Sequence, residues 1–324
     1  MLAWKNSLGQ LLLFGGLSIA IGAAAGSQLE AKSKPKDVCS KAERAEADRW
    51  LWLNARDRKL SVQQNLPWGA PVEQSPEFSD RQLVQREYVI GYDADLKVPI
   101  WTAERVVGSD IGKVGRSDCF RQDPRLKPAE ASAPSDYVEP IFDQGHMTPS
   151  GDVTVSKRAV HNSFIMSNMS PQFCEFNRGI WQILEEQTRR WAKKFGTVHV
   201  LNGSIFDRDG DGKRDQDSAA DHMQSNNHKA RVAVPTAFYK ILAVQHPDGA
   251  IETLAILLPQ DHVQHDDAEA MTYLQQHVST IAAVEQMTGL RFFPNATAAS
   301  TELTQLWNFD QPSPGSLAGG CRTQ

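Results

Sequence analysis

From Glu87 to Ile100 hydrophobic and polar positions alternate and β-formers such as Tyr88, Val89, Ile90 and Tyr92 cluster. The pattern predicts a hairpin with its turn at Asp93 to Lys97. Trp101 to Val107 continues as strand. Upstream, Cys39 to Lys59 has helical character, with Ala45, Trp50, Leu51 and Leu53 contributing to one apolar face. The run from Leu66 to Pro71 has turn chemistry. Asp123 to Tyr137, rich in prolines and charges, reads as a loop. Ile141 and Phe142 then lead as a short strand into Asp143-Gln144-Gly145-His146. From Phe176 to Phe195 the pattern is helical: Ile180, Leu184 and Trp191 share a face, and Glu and Arg occupy others. Thr197–Phe206, Val232–Val244 and Ile251–Leu258 read as strands, and Ala268–Gln286 as a helix. Strands and helices mixed without strict βαβ alternation predict an α+β fold.

The N-terminus changes the picture of where folding begins. Lys5 precedes an uncharged apolar run, Leu11 to Ala25, and Ala23 and Ala25 form an A-x-A pattern before Gly26. This reads as a signal peptide over 1–26, with an uncleaved membrane anchor as the alternative. Residues 27–65 read as linker and N-terminal helix, 66–296 as the main domain and 297–324 as a C-terminal tail. The expected location is exported, periplasmic or secreted. Cys39, Cys119, Cys174 and Cys321 permit one or two disulfides there, in any of three pairings, with free buried thiols as the other reading. No CxxC pair exists, which argues against a zinc ribbon. The net charge of −5 argues against a tight stoichiometric nucleic-acid binder, but not against an enzyme that must release its product.

The chemistry concentrates between residues 143 and 189. Asp143-Gln144-Gly145-His146 is followed by Ser167-Asn168-Met169-Ser170-Pro171-Gln172, then by Asn177-Arg178-Gly179-Ile180-Trp181, then by Glu185. These segments resemble the DNA/RNA non-specific endonucleases of the ββα-metal, or His-Me finger, class, which includes secreted bacterial nucleases and mitochondrial endonuclease G. The family pattern runs D-R-G-H, S-N-x-x-P-Q, N-x-x-x-W and a Glu two helical turns later. Lys97 to Trp101, Val234 to Lys240 and Thr288 to Pro294 extend the likeness, so that it spans Leu66 to Asn295. It implies a ββα-metal core within a mixed, largely antiparallel sheet flanked by helices.

Phosphodiester hydrolysis needs an activated water and stabilised charge on the phosphoryl group. A neutral histidine suits the first task, so His146 is the candidate general base. Mg²⁺ prefers oxygen ligands and keeps several waters, so Asn177 is the candidate metal ligand, with Glu185 acting through a metal-bound water and Mn²⁺ as a substitute ion. Asn177 and Glu185 lie eight positions apart, a spacing that points both side chains to about the same helix face. The resemblance assigns Asn168 to polarising or positioning the site. Arg189 and Arg116 are candidate phosphate contacts, with Arg121 as the other candidate for the upstream arginine. Taken singly, Asn177 could be a helix N-cap, Asn168 a turn residue, and Glu185 with Arg189 a surface ion pair.

One position departs from the pattern. Gln144 stands where the family has an arginine that contacts phosphate, so a catalytically weakened nucleic-acid-binding protein on a nuclease fold is the alternative reading. A second feature, Asp207, Asp209, Asp211 and Asp215, matches the start of a Ca²⁺ loop, but Ser218 stands where an EF-hand has Glu. A Ca²⁺-stabilised loop and a solvated acidic turn are both open. The implied partners are DNA and RNA substrates, a second copy of the chain as a homodimer, and a membrane only if the N-terminal segment stays uncleaved.

Overall fold

A computed structural model describes residues 38–75, 81–224, 231–296, 299–300, 305–310 and 321. The segment Leu11 to Ala25 read as a signal lies outside them. Two helices come first, α1 (Lys41–Trp50) and α2 (Ala55–Asn65). Strands β1 (Arg81–Val84), β2 (Tyr88–Asp93) and β3 (Val98–Val107) follow. Next come β4 (Phe142–His146), α3 (Lys157–Ser163) and β5 (Met169–Phe173). A short turn and a widened turn lead into α4 (Gln182–Phe195). The chain continues through β6 (Thr197–Ile205), β7 (Ala237–Gln245) and β8 (Ile251–Pro259) to α5 (Asp267–Gln276), β9 (Val278–Ser279) and α6 (Ile281–Thr288).

The main sheet runs β9-β8-β7-β6-β3-β2-β1 through antiparallel neighbours, with one short parallel strand, Ala299–Ser300, beside β8. Its central strands bury both faces. Along β6, Leu201 and Ile205 pack to one side while Val198 and Val200 pack to the other; along β7, Tyr239 and Ile241 oppose Phe238 and Leu242. Period-two alternation thus feeds two cores. The first holds Leu66, Val284 and Phe292; the second holds Ile183, Leu184 and Trp191 of α4 with Met271 and Leu274 of α5.

Two expected helices are each split. Cys39–Lys59 contains all of α1 and the start of α2, because Asn54 caps a new helix by accepting the Asp57 amide at 2.9 Å. Ala268–Gln286 breaks at His277–Thr280. There Val278 and Ser279 pair with Ile256 and Ala255, and Thr280 caps α6 by accepting the Ala283 amide at 3.1 Å. The hairpin turn between β2 and β3 lies where expected; Asp93 accepts the amides of Asp95 and Leu96 at 2.9 Å each.

Packing continues at both ends. Disulfides join Cys39 to Cys119 and Cys174 to Cys321, which selects one of the three pairings. Trp307, 1% exposed, packs edge-on against Trp191 with ring centroids 5.3 Å apart. Each aromatic of this kind removes a large apolar area from water, worth roughly 1.5–3 kcal/mol for a fully buried side chain.

Candidate active site

Strands β4 and β5 pair antiparallel as a separate ribbon, and the helical run after β5 completes a ββα unit. Gly145 faces Ser170 in the register. A Cβ on Gly145 would sit 2.6 Å from Cγ of Gln172 and closer still to its amide, and Gln172 is fully buried. Glycine is therefore needed for the backbone beside His146 to approach the second strand. The strand ends on His146, whose carbonyl accepts the Trp181 indole N–H at 3.3 Å.

The loop after His146 is fixed by Asn168. Its Oδ1 accepts the Thr148 amide at 3.0 Å, and its Nδ2 donates to the carbonyls of Thr148 at 2.9 Å and Ser163 at 2.8 Å. Asn168 is completely buried and does not line the cleft. It holds the backbone that follows His146 and so lies behind the residues that line the cleft.

The cleft, about 460 Å³, is lined by Arg116, Asp118, Phe120, Tyr137, Phe142, Asp143, Gln144, His146, Pro149, Ser150, Asn177, Arg178, Gln182 and Glu185. The ribbon, the helical run and the loop of Arg116 all contribute. His146 is 8% exposed, and its ring meets Phe164 and Phe120 edge-on at 4.6 and 5.9 Å. Burial, reinforced by the Arg116 charge, holds its pKa well below the ordinary histidine value. The imidazole is therefore neutral near pH 7. Its Nε2 is sealed from solvent and has no hydrogen-bond partner among the described residues.

Asn177 opens a widened helical turn, Asn177–Trp181, of the kind often found at functional sites. Its Nδ2 donates to Asp143 at 2.9 Å, which leaves the amide oxygen as the end available to the cleft. Glu185 joins it there from α4. Burial pushes the Glu185 carboxyl up to about 7; Arg189 opposes the shift and Asp152 adds to it.

Arg189 turns away from the cleft. Its guanidinium is 2.8 Å from Asp152 and 3.9 Å from Glu185, and it lies against Gly151, so a buried ion pair replaces the expected phosphate contact. Of the two upstream arginines, Arg116 lines the cleft and Arg121 does not. Arg121 is buried and bonded to Asp48, Asn162 and two backbone carbonyls. Gln144 lines the cleft and donates to the Pro134 carbonyl at 3.4 Å. Two residues gain a place that sequence reasoning did not give them, Asp143 and Arg178. Asp143 was visible only as a letter of the motif, because its partners lie 34 and 35 positions along the chain.

The acidic loop is apart from this site. Asp207, Asp209 and Asp211 offer ligand oxygens within 4.8 Å of one another, but each also accepts a backbone amide of the loop. Asp215 is not among them; its carboxylate accepts the Arg208 amide.

Comparison with known proteins identifies the family. Residues 72–299 match the family described as DNA/RNA non-specific endonuclease. The chain is 33% identical over 222 residues to nuclease C1 of Cunninghamella echinulata var. echinulata, covering 66% of this chain and 83% of that protein. It is 30% identical over 227 residues to mitochondrial endonuclease G of Homo sapiens, covering 68% and 73%. A solved chain from the EndoG/EndoGI complex superposes with a TM-score of 0.61 at 27% identity, covering 72% of this chain and 92% of that one. A ribbon that delivers a histidine to a polar cleft, a helix that brings an asparagine and a glutamate to it, and these matches together place the chain in the DNA/RNA non-specific endonuclease family, as a hydrolase of phosphodiester bonds.

Proposed function

We propose that this protein is a Mg²⁺-dependent endonuclease that cuts DNA and RNA without regard to base sequence or sugar. The observation that carries the reading is the meeting in one cleft of a neutral, desolvated imidazole and an asparagine whose amide nitrogen is already committed to Asp143. With Nε2 of His146 sealed, Nδ1 is the nitrogen left to take a proton from the attacking water. Phe120 and Phe164 keep water from solvating the ring on its other side, which disfavours the imidazolium and keeps the ring neutral, with Nδ1 free to accept the reacting proton.

The donor set suits a hard cation. The lining offers three carboxylates, Asp118, Asp143 and Glu185, against two guanidiniums, Arg116 and Arg178, so a polyanion meets little net attraction unless a cation is added. Asn177 would hold Mg²⁺ directly and Glu185 through water, with Mn²⁺ as a substitute. Such an ion, when bound, stabilises negative charge on the phosphoryl and leaving oxygens. Contacts to phosphate rather than to base edges account for indifference to sequence. We further propose that 66–296 carries this activity and that the chain is exported, a reading supported by the apolar run before Gly26 and by two disulfides.

Nicking of supercoiled plasmid by the purified protein is expected to stop in EDTA and return with Mg²⁺, or less fully with Mn²⁺. Undiminished nicking in chelator would remove the metal from the mechanism.

A further inference from the structure

The two guanidiniums of the cleft are held differently. Arg116, 59% exposed at its side chain, donates through Nε to Asp118 at 2.7 Å and lies over the Phe164 ring at 4.9 Å. Arg178 directly follows Asn177, and its Nε and Nη2 grip both oxygens of Asp143 at 2.7 Å each. A bidentate pair of this type fixes the guanidinium plane, not only its position. The same Asp143 oxygen that accepts Nε also accepts the Asn177 amide at 2.9 Å. One carboxylate therefore locks the arginine beside the proposed metal ligand. Nη1 of Arg178 has no partner among the described residues, and the side chain is 43% exposed in the cleft.

Apart from Arg116 on the opposite loop, neighbouring side chains leave the positive charge of the cleft to Arg178. Gln144 occupies the position of the arginine in D-R-G-H and brings no charge. Arg189 is consumed by Asp152 and Glu185. On the ribbon side of the cleft, in the register from Phe142 to His146 and Met169 to Phe173, there is no cation. The positive charge that the motif lacks on β4 stands instead on the helical run opposite, tied to the first residue of the same motif.

We propose that Arg178 is a phosphate-binding arginine of this nuclease: Asp143 orients it, and its Nη1 edge engages a phosphate oxygen of the bound strand in place of an arginine at 144. The inference rests on the nuclease reading and specifies which side chain meets the substrate. It also gives Gln144 a physical reading: the charge that D-R-G-H carries at this position is supplied from 178 instead.

The test uses the full chain and duplex DNA with Mg²⁺ at several salt concentrations. Arg178→Gln is expected to lower kcat/KM by roughly 10- to 100-fold and to reduce the slope of log kcat/KM against log salt by about one, the signature of one lost phosphate contact. Arg178→Lys should retain the slope but not the full rate, because a point charge replaces a fork. The exchange Gln144→Arg with Arg178→Gln should recover part of both. If Arg178 only steadies Asp143 and Asn177, Arg178→Gln would leave the salt slope unchanged and raise the Mg²⁺ concentration needed, and the proposal falls. Binding of duplex DNA by His146→Ala, with and without Arg178→Gln, reads the same contact without turnover. A salt slope for binding that is identical in the two also overturns it, whereas failure of the wild type to nick would count against the nuclease reading instead.

Discussion

His146→Ala is expected to lower kcat on duplex DNA by roughly 10²- to 10⁴-fold, the usual cost of removing a general base. His146 is the only histidine among the cleft lining residues, and its imidazole is neutral. Folding should survive. The ring makes edge-on contacts to Phe120 and Phe164, but one buried nitrogen has no hydrogen-bond partner, so truncation removes an unsatisfied polar atom along with the packing. The thermal midpoint and the Mg²⁺ concentration giving half-maximal residual activity are expected to stay near wild type. The pH profile provides a second reading. Burial lowers the His146 pKa well below its ordinary value, so protonation of this base cannot produce an acid limb near the usual histidine midpoint. Near-normal turnover in the alanine variant would mean that the proton is taken elsewhere.

What could be read from the sequence was what is local in the chain. The hairpin of β2 and β3 was legible because its turn is made by one residue, Asp93, bonding two and three positions ahead. The short strand into His146 and the helix carrying Asn177 and Glu185 were legible because the motif residues lie on the elements themselves. The splits in the helical segments were not seen, since no proline or glycine marks Leu51–Asn54 or His277–Thr280. Asn54 and Thr280 were the available signals, as caps whose side chains compete with helix continuation. Helix α3 was missed in the same way; Ser156 caps it by accepting the Ala159 amide.

The site divides along the same line. His146, Asn177, Glu185, Gln144 and Arg116 meet in one cleft. Arg189 has the helical spacing to join them, but Asp152, 37 positions away, reaches it first at 2.8 Å. Asn168 has the polarity of a catalytic group, yet three backbone partners consume its amide. Periodicity gives the direction of a side chain. It does not show what meets the side chain there, and for Arg189, Asn168 and Arg178 those partners lie elsewhere in the fold.

Removing the proposed metal ligand should produce the other large loss. Asn177→Ala is expected to cut activity at low Mg²⁺ by at least about 10- to 100-fold, the range seen when even supporting groups of a metal site are removed, and high Mg²⁺ should restore part of it. The same titration in the wild type tests Glu185. Its carboxyl is raised to about 7, first by burial. Above that pH it is a carboxylate able to accept from a metal-bound water; below it the proton competes with the cation. The Mg²⁺ concentration for half-maximal nicking should therefore rise as pH falls through about 7, approaching about tenfold per pH unit on the acid side, and Glu185→Gln should flatten that dependence while raising the requirement at alkaline pH. A bound cation favours the carboxylate, so saturating Mg²⁺ should move the acid limb of the rate profile downward. A requirement for Mg²⁺ that is the same on both sides of neutrality would take Glu185 out of the ion's water shell, and a normal requirement in Asn177→Ala would take Asn177 out of its ligand set.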